Sequence, residues 1–255
     1  KVLALPKTAI IPLSQNLGAP SNPIVNKGDK VKVGQLIAES SSFISSHIHA
    51  PVSGTIAKID EAIDSSGYKR KSIFIDVEGD EWLENIDKSN NLISDIRFSK
   101  EEIIAKIKDA GIVGLGGATF PTHVKLMIPK GKKAECLIIN GVECEPYLTS
   151  DHRLMIEKGD ELMVGIQIIM KSIEVTKAYI GIENNKPDAI EHLTNLSKKY
   201  NGIEICPLKV KYPQGGEKQL IKAIIGREVP SGKLPIEVGC VVQNVGTAYA
   251  VYEAV

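Results

Sequence analysis

Gly111, Gly114, Gly116 and Gly117 put four glycines within seven residues of GIVGLGGATFPTHVKL (Gly111 to Leu126), and Pro121 and Lys125 follow them. Consecutive glycines let a chain take positive φ, expose several amide N–H groups and lay backbone against a flat or anionic ligand. Pro121 and Thr122 suit the opening of a helix, whose N-terminal amides favour a phosphate, with Lys125 about one turn in as a cationic partner. Each charge-assisted bond contributes roughly 1.5–3 kcal/mol, so three or four suffice for a micromolar cofactor. Two familiar phosphate motifs do not fit. G-x-G-x-x-G requires glycine where Thr119 stands and a strand before the loop, where a helix is expected. The P-loop requires Gly-Lys-Ser/Thr, and Lys125 lies eight residues beyond Gly117. A glycine turn packed tightly on a neighbour is the competing reading, and these residues alone leave the two even.

A second constellation is LIINGVECEPYLTSDHRLM, Leu137 to Met155. A strand ending at Asn140 would deliver that amide, Glu143 and Glu145 to the carboxyl edge of a parallel sheet, where such folds bind ligands. Asn140 offers donors and acceptors to a heterocycle, and paired acids beside a cofactor can fix a ribose or position a nicotinamide. Alternatively Asn140 caps a turn and the acids are solvated. Asp151, His152 and Arg153 read as capping and surface charge at a helix start. In KYPQGGEKQL, Tyr212, Gly215, Gly216 and Glu217 open another helix with a turn that accommodates an anion or a ring. Asn244 ends the last strand.

The elements that must position these residues divide in two. From Ile24 to Ile59 short β-segments alternate with Lys27-Gly28-Asp29 and Ser53-Gly54 turns. Residues 1–80 are expected to form a β domain and 81–98 a linker. From 99 to 255 an α/β domain is expected, opened by a Ser99–Glu102 capping box and a helix that stops at Gly111. Strands at AECLIIN, KAYIGIE, IEICPLKV and CVVQN alternate with amphipathic helices, including one from about Asp151 to Ser172. That pattern predicts a mostly parallel sheet covered on both faces.

Lys+Arg and Asp+Glu are balanced at 31 each, so no global field draws the chain to nucleic acid. The four cysteines show no C-x-x-C pair, and neither a zinc site nor a cluster-ligand run is read from them. His47 and His49 share one face of a strand but lack a third ligand, so no metal is expected there. His123 and His192 read as helix-surface residues. Exposed serines and histidines at the tip, Ser40 to Ala50, suggest docking to a partner.

The front segment resembles the barrel-sandwich hybrid of lipoyl and biotinyl carriers through GDKVKVGQLIAES and APVSGTI, without the lysine that a working carrier bears at its tip. The whole chain resembles the RnfC component of the Rnf electron-transport complex, and more distantly the flavin-binding subunit of respiratory complex I, through GLGGATFPTHVKL and INGVECEPYLTSDHRLM. The resemblance implies an FMN site that exchanges hydride with NAD(H). By it Gly114, Gly116, Gly117 and Lys125 surround the flavin, and Asn140 contacts its ring. Glu143 and Glu145 lie on the nicotinamide side, Tyr212, Gly215 and Glu217 form a further flavin and NADH loop, and Asn244 lies near the phosphate or ribityl chain. It implies hydride transfer by the flavin with no general base, Glu143 positioning the dinucleotide. It further implies [4Fe–4S] clusters held beyond Val255, ferredoxin or another iron–sulfur subunit as partner, and a peripheral place on the cytoplasmic face of the membrane. Departures from the complex I pattern are Thr119, Val142 and Gly216; Thr119 stands where φ is expected to be positive. Rival readings are a soluble electron-transfer flavoprotein serving an amino-acid or corrinoid reductase, and a docking scaffold that has lost the cofactor.

Overall fold

The computed structural model describes residues 4–255 and divides into two compact units. The first comprises the stretch up to Asn91 together with Lys108–Val113 and Ala118–Val124; the second comprises Leu92–Ile107, Gly114–Gly117 and Lys125–Val255.

The first unit is antiparallel. Strands β1 (Thr8–Pro12), β7 (Lys69–Gly79), β6 (Ser53–Ile63) and β3 (Lys30–Val31) form one sheet in that order, and β2 (Asn22–Pro23), β4 (Leu36–Glu39) and β5 (Ile48–His49) form another. Ile37, Ile56, Ile73 and Ile75 are fully buried in its core. Gly28, at φ 93°, makes the expected turn and donates to Ile56 O at 2.8 Å. The tip is less solvated than the sequence suggests. Ser45 and Ser46 are buried, their hydroxyls donating to Ala19 O and Gly111 O at 3.0 and 2.9 Å. His123 is likewise no surface residue: it is 5% exposed, and burial pushes its imidazole pKa down.

In the second unit α1 (Lys100–Asp109) carries the expected capping box: Glu102 N donates to Ser99 Oγ at 3.3 Å and Ser99 N to Glu102 Oε2 at 2.7 Å. A short α2 (Thr122–Leu126), whose Lys125 and Leu126 belong to this unit, precedes β8 (Cys136–Asn140). Helices α3 (Ser150–Glu157), α4 (Gly159–Ser172), α5 (Pro187–Ser197), α6 (Glu217–Ile225) and α7 (Val245–Ala254) accompany β9 (Ala178–Glu183), β10 (Ile203–Leu208) and β11 (Cys240–Asn244). The four strands are parallel, in the order β10-β9-β8-β11. The single helix expected from Asp151 to Ser172 is two. Lys158 breaks it at φ −130°, ψ 36°, and the missing side chain of Gly159 lets Leu196 and His192 pack where a Cβ would be 2.6–2.7 Å from them. Among the described residues no helix is long and apolar enough to cross a membrane.

Candidate functional site

The chain passes from β8 outward to β9 and β10, then returns to lay β11 on the other flank of β8. At such a reversal the crevice outside the carboxyl ends of the strands is where open α/β sheets bind ligands. Asn140 and Asn244 are the last residues of β8 and β11, and they are register partners. Two amides thus stand side by side at that edge.

Each amide ties a separate loop to the crevice. Asn244 Oδ1 caps α7, accepting from Gly246 N at 2.7 Å and Thr247 N at 3.3 Å, which satisfies two of the orphan donors of that helix. Thr247 Oγ1 in turn accepts from Leu115 N at 2.9 Å, and a Cβ on Gly116 would lie 2.9 Å from the Asn244 Cβ. The glycine loop is therefore seated on the start of α7. Gly116 is required by close approach, whereas positive φ between Gly114 and Thr119 is confined to Gly117 (152°) and Thr119 (51°). A Cβ on Gly117 would meet nothing within 4 Å, so its backbone borders open space. Asn140 Nδ2 donates to Gly215 O at 2.9 Å, and Gly215 N donates to Cys144 Sγ at 3.4 Å. Both backbone polar groups of Gly215 are held by the exit of β8.

The acidic loop is organised rather than simply solvated. Glu143 stands at φ 47°, and its carboxylate accepts from the backbone of Asp151 at 2.8 Å and His152 at 3.1 Å, capping α3 from outside. Glu145 is exposed. Lys125 pairs with Glu217 at 2.8 Å, bringing together two loops that are distant in sequence. The helix that holds Lys125 is only five residues long, too short to present the N-terminal phosphate site the sequence suggested. Tyr212 is 71% exposed in the loop that carries Gly215.

Sequence reasoning missed Asp151, Cys144 and Thr247. Asp151 read as surface charge, but its Oδ2 accepts from Asn244 Nδ2 at 2.7 Å. Burial is the largest cause of its raised carboxyl pKa; Glu143 and Glu145 add to the rise, and the Asn244 bond and Lys186 oppose it. A carboxyl whose folded-state pKa is raised contributes stability that is present below its unfolded-state value and lost as pH rises through the folded-state value. Asp151→Asn keeps an oxygen for Asn244. It is expected to leave stability unchanged near pH 3.5 and to add up to about 1 kcal/mol at pH 8, discounted for partial exposure, a rise of roughly 2–4 °C in Tm. Thermal melts across that range check it; a gain of the same size at both ends would contradict it.

Comparison with known proteins finds relatives for both parts of the chain. A family model described as the Nuo51 FMN-binding domain matches residues 107–253, and one described as the RnfC barrel sandwich hybrid domain matches residues 1–80. The C component of the proton-translocating ferredoxin:NAD(+) oxidoreductase complex of Clostridium ljungdahlii is 48% identical over 258 residues, covering 100% of this chain and 55% of that protein. The C component of the Na(+)-translocating ferredoxin:NAD(+) oxidoreductase complex of Acetobacterium woodii is 48% identical over 250 residues, covering 98% and 56%. The chain thus spans about half the length of these curated relatives. A crystal structure of NAD+-reducing [NiFe]-hydrogenase in the H2-reduced state superposes with a TM-score of 0.52 at 26% identity, over 60% of this chain and 30% of that one. Because the first of these models covers more than half of the residues, including every loop that meets at the ends of β8 and β11, the chain belongs to the family of the Nuo51 FMN-binding domain.

Proposed function

We propose that this chain is the FMN-binding, NAD(H)-reactive module of a membrane-associated ferredoxin:NAD+ oxidoreductase of the Rnf type. On this reading it is peripheral on the cytoplasmic face and works with further subunits, with ferredoxin or another iron–sulfur protein, and with [4Fe–4S] clusters held outside these residues. One observation carries it: a glycine loop with open space at Gly117 is seated on Asn244, beside the Asn140 that holds the Gly215 loop, at the reversal point of a parallel sheet.

A bound flavin supplies conversion between two-electron hydride exchange with NAD(H) and one-electron transfer to iron–sulfur centres. The residues of the chain supply the binding. Amides of Gly114, Gly116 and Gly117 are the donors on this reading, with open space beside Gly117 and Gly116 packed low over Asn244. Lys125, already neutralised by Glu217, adds positive charge only where an anion competes with that carboxylate. Asn140 and Cys144 fix Gly215, and so the loop bearing Tyr212 and Glu217. Glu143, locked on the α3 N-terminus, acts by orientation; no proton acceptor is needed for hydride transfer, and Glu145 is the more exposed acid for hydroxyl contacts.

Titration with FMN is expected to give a saturable complex whose visible absorption is bleached anaerobically by NADH. A folded chain that leaves FMN free at millimolar supply would refute the reading. Glu143→Gln is expected to raise the apparent NADH dissociation constant about 3- to 10-fold, as exchange of a charge-assisted bond for a neutral one implies, with FMN affinity within about twofold of wild type. An unchanged NADH affinity would remove Glu143 from the dinucleotide side.

A further inference from the structure

Lys186 lies immediately before Pro187 at the start of α5, and only 6% of it is exposed. Nothing about that helix calls for it. Lysine is a poor N-cap, its charge opposes the positive end of the macrodipole, and its side chain makes no capping bond. Its Nζ instead reaches 44 positions back in the chain and donates to Val142 O at 2.9 Å, more weakly to Glu143 O at 3.5 Å, and to Asn185 Oδ1 at 3.2 Å. These acceptors are all uncharged oxygens. Burying a cation on neutral partners costs free energy that a packed apolar side chain would not, so its presence asks for a reason.

The reason lies in what it grips. The carbonyls of Val142 and Glu143 bracket the φ and ψ of Glu143, which stands at φ 47°, a conformation a non-glycine residue keeps only when its surroundings over-determine it. The same loop holds Glu145, and Asp151 opens the helix that follows. With Glu143 turned onto the α3 amides, Glu145 and Asp151 remain as acids beside Asn244 at the edge where the proposed nucleotide is to bind. The lysine charge acts on that edge, since it pulls the Asp151 carboxyl pKa down against the rise caused by burial and the two glutamates.

We propose that Lys186 is a positioning residue with two linked tasks: it pins Glu143 in the left-handed conformation, and it is the resident counter-charge that lets Glu145 and Asp151 face a nucleotide phosphate without repelling it. The inference rests on the FMN-binding reading and adds a residue to it. It separates the flavin ring from the flavin phosphate: a purely mechanical brace supports both equally, whereas a counter-charge acts on the phosphate.

The test compares FMN with riboflavin, which shares the ring and lacks the phosphate, on the 255-residue chain by fluorescence titration. Lys186→Met, of similar length and uncharged, is expected to weaken FMN about 10-fold or more and riboflavin no more than about 3-fold, with the difference shrinking at high salt. Lys186→Arg, which keeps charge and donors, is expected to retain most of the FMN affinity. Adding Glu145→Gln to Lys186→Met removes one uncompensated acid and is expected to recover part of the loss. If Lys186→Met does not fold by circular dichroism, Lys186→Gln carries the same comparison. A folded variant that binds FMN as wild type does, or that loses both flavins equally, overturns the proposal while leaving the FMN reading intact. A wild-type chain that binds neither flavin overturns both.

Discussion

Gly117→Val is expected to abolish FMN binding, raising the dissociation constant by at least about 100-fold, while the folded state loses only about 1–3 kcal/mol. The two effects separate because of where the missing side chain points. At Gly117 a Cβ meets no protein atom within 4 Å, so valine there displaces nothing but the ligand; the stability cost comes from φ 152° alone. Gly116→Ala provides the contrast. Its Cβ would sit 2.9 Å from the Cβ of Asn244 and 3.3 Å from Cγ, neither of them the free end of a flexible chain, so the substitution pushes on the residue that caps α7 and holds Asp151. It should lower stability and FMN affinity together. Gly131, at φ 82° with open surroundings, serves as the control: Gly131→Val carries comparable strain and should leave FMN binding untouched. Flavin titration beside denaturant melts of the three variants decides. Should Gly117→Val bind FMN as tightly as wild type, the open side of the glycine loop is not where the cofactor lies.

Much of this architecture is legible in the sequence because it rests on local chemistry. The capping box at Ser99, the stop at Gly111 and the strand ending at Asn140 each need only neighbours within a few positions. The likeness of the front segment to a carrier domain is carried in part by its turns, such as the one where Gly28 takes positive φ. What escapes is whatever depends on approach between distant segments. Asp151 reads as a helix-start charge and becomes a half-buried partner of Asn244 only because β11 returns beside β8. Lys186 looks like an ordinary surface lysine before a proline, and nothing nearby announces that its amine crosses to Val142. The split at Lys158 is of the same kind, since the glycine after it matters for what α5 packs against rather than for helix propensity. Asn140 and Asn244 could each be suspected alone. That they stand opposite one another requires the strand order, which no periodicity encodes.

Asn244→Asp should fold normally in acid and lose about 2–3 kcal/mol relative to wild type by pH 8, the cost of facing two carboxylates across a short contact. Aspartate is as good a helix cap as asparagine, so the bonds from Gly246 and Thr247 to one oxygen survive. The other terminal atom changes from a donor, 2.7 Å from Asp151 Oδ2, to an acceptor facing an acceptor. The pair then holds only if one proton is shared. Its apparent pKa is raised above the unfolded-state values, so the stability it contributes is present at low pH and disappears as pH rises through the folded-state value. Asp151 enters already raised by burial, with Glu143 and Glu145 nearby, which pushes the loss toward neutral pH rather than deep acid. Asn244→Ala behaves differently: it gives up the cap as well as the contact, so a deficit of about 1–2 kcal/mol from the cap is present already in acid, with a smaller pH-dependent part from the lost bond to Asp151. Combining Asn244→Asp with Asp151→Asn restores a donor–acceptor pair with the roles exchanged and should recover most of the stability at pH 8. Thermal melts of the four proteins from pH 4 to 8 test the whole scheme. A deficit in Asn244→Asp that stays constant over that range, or one the double substitution does not relieve, means that Asn244 and Asp151 are not in contact in solution, and the seating of the glycine loop on α7 would have to be explained without them.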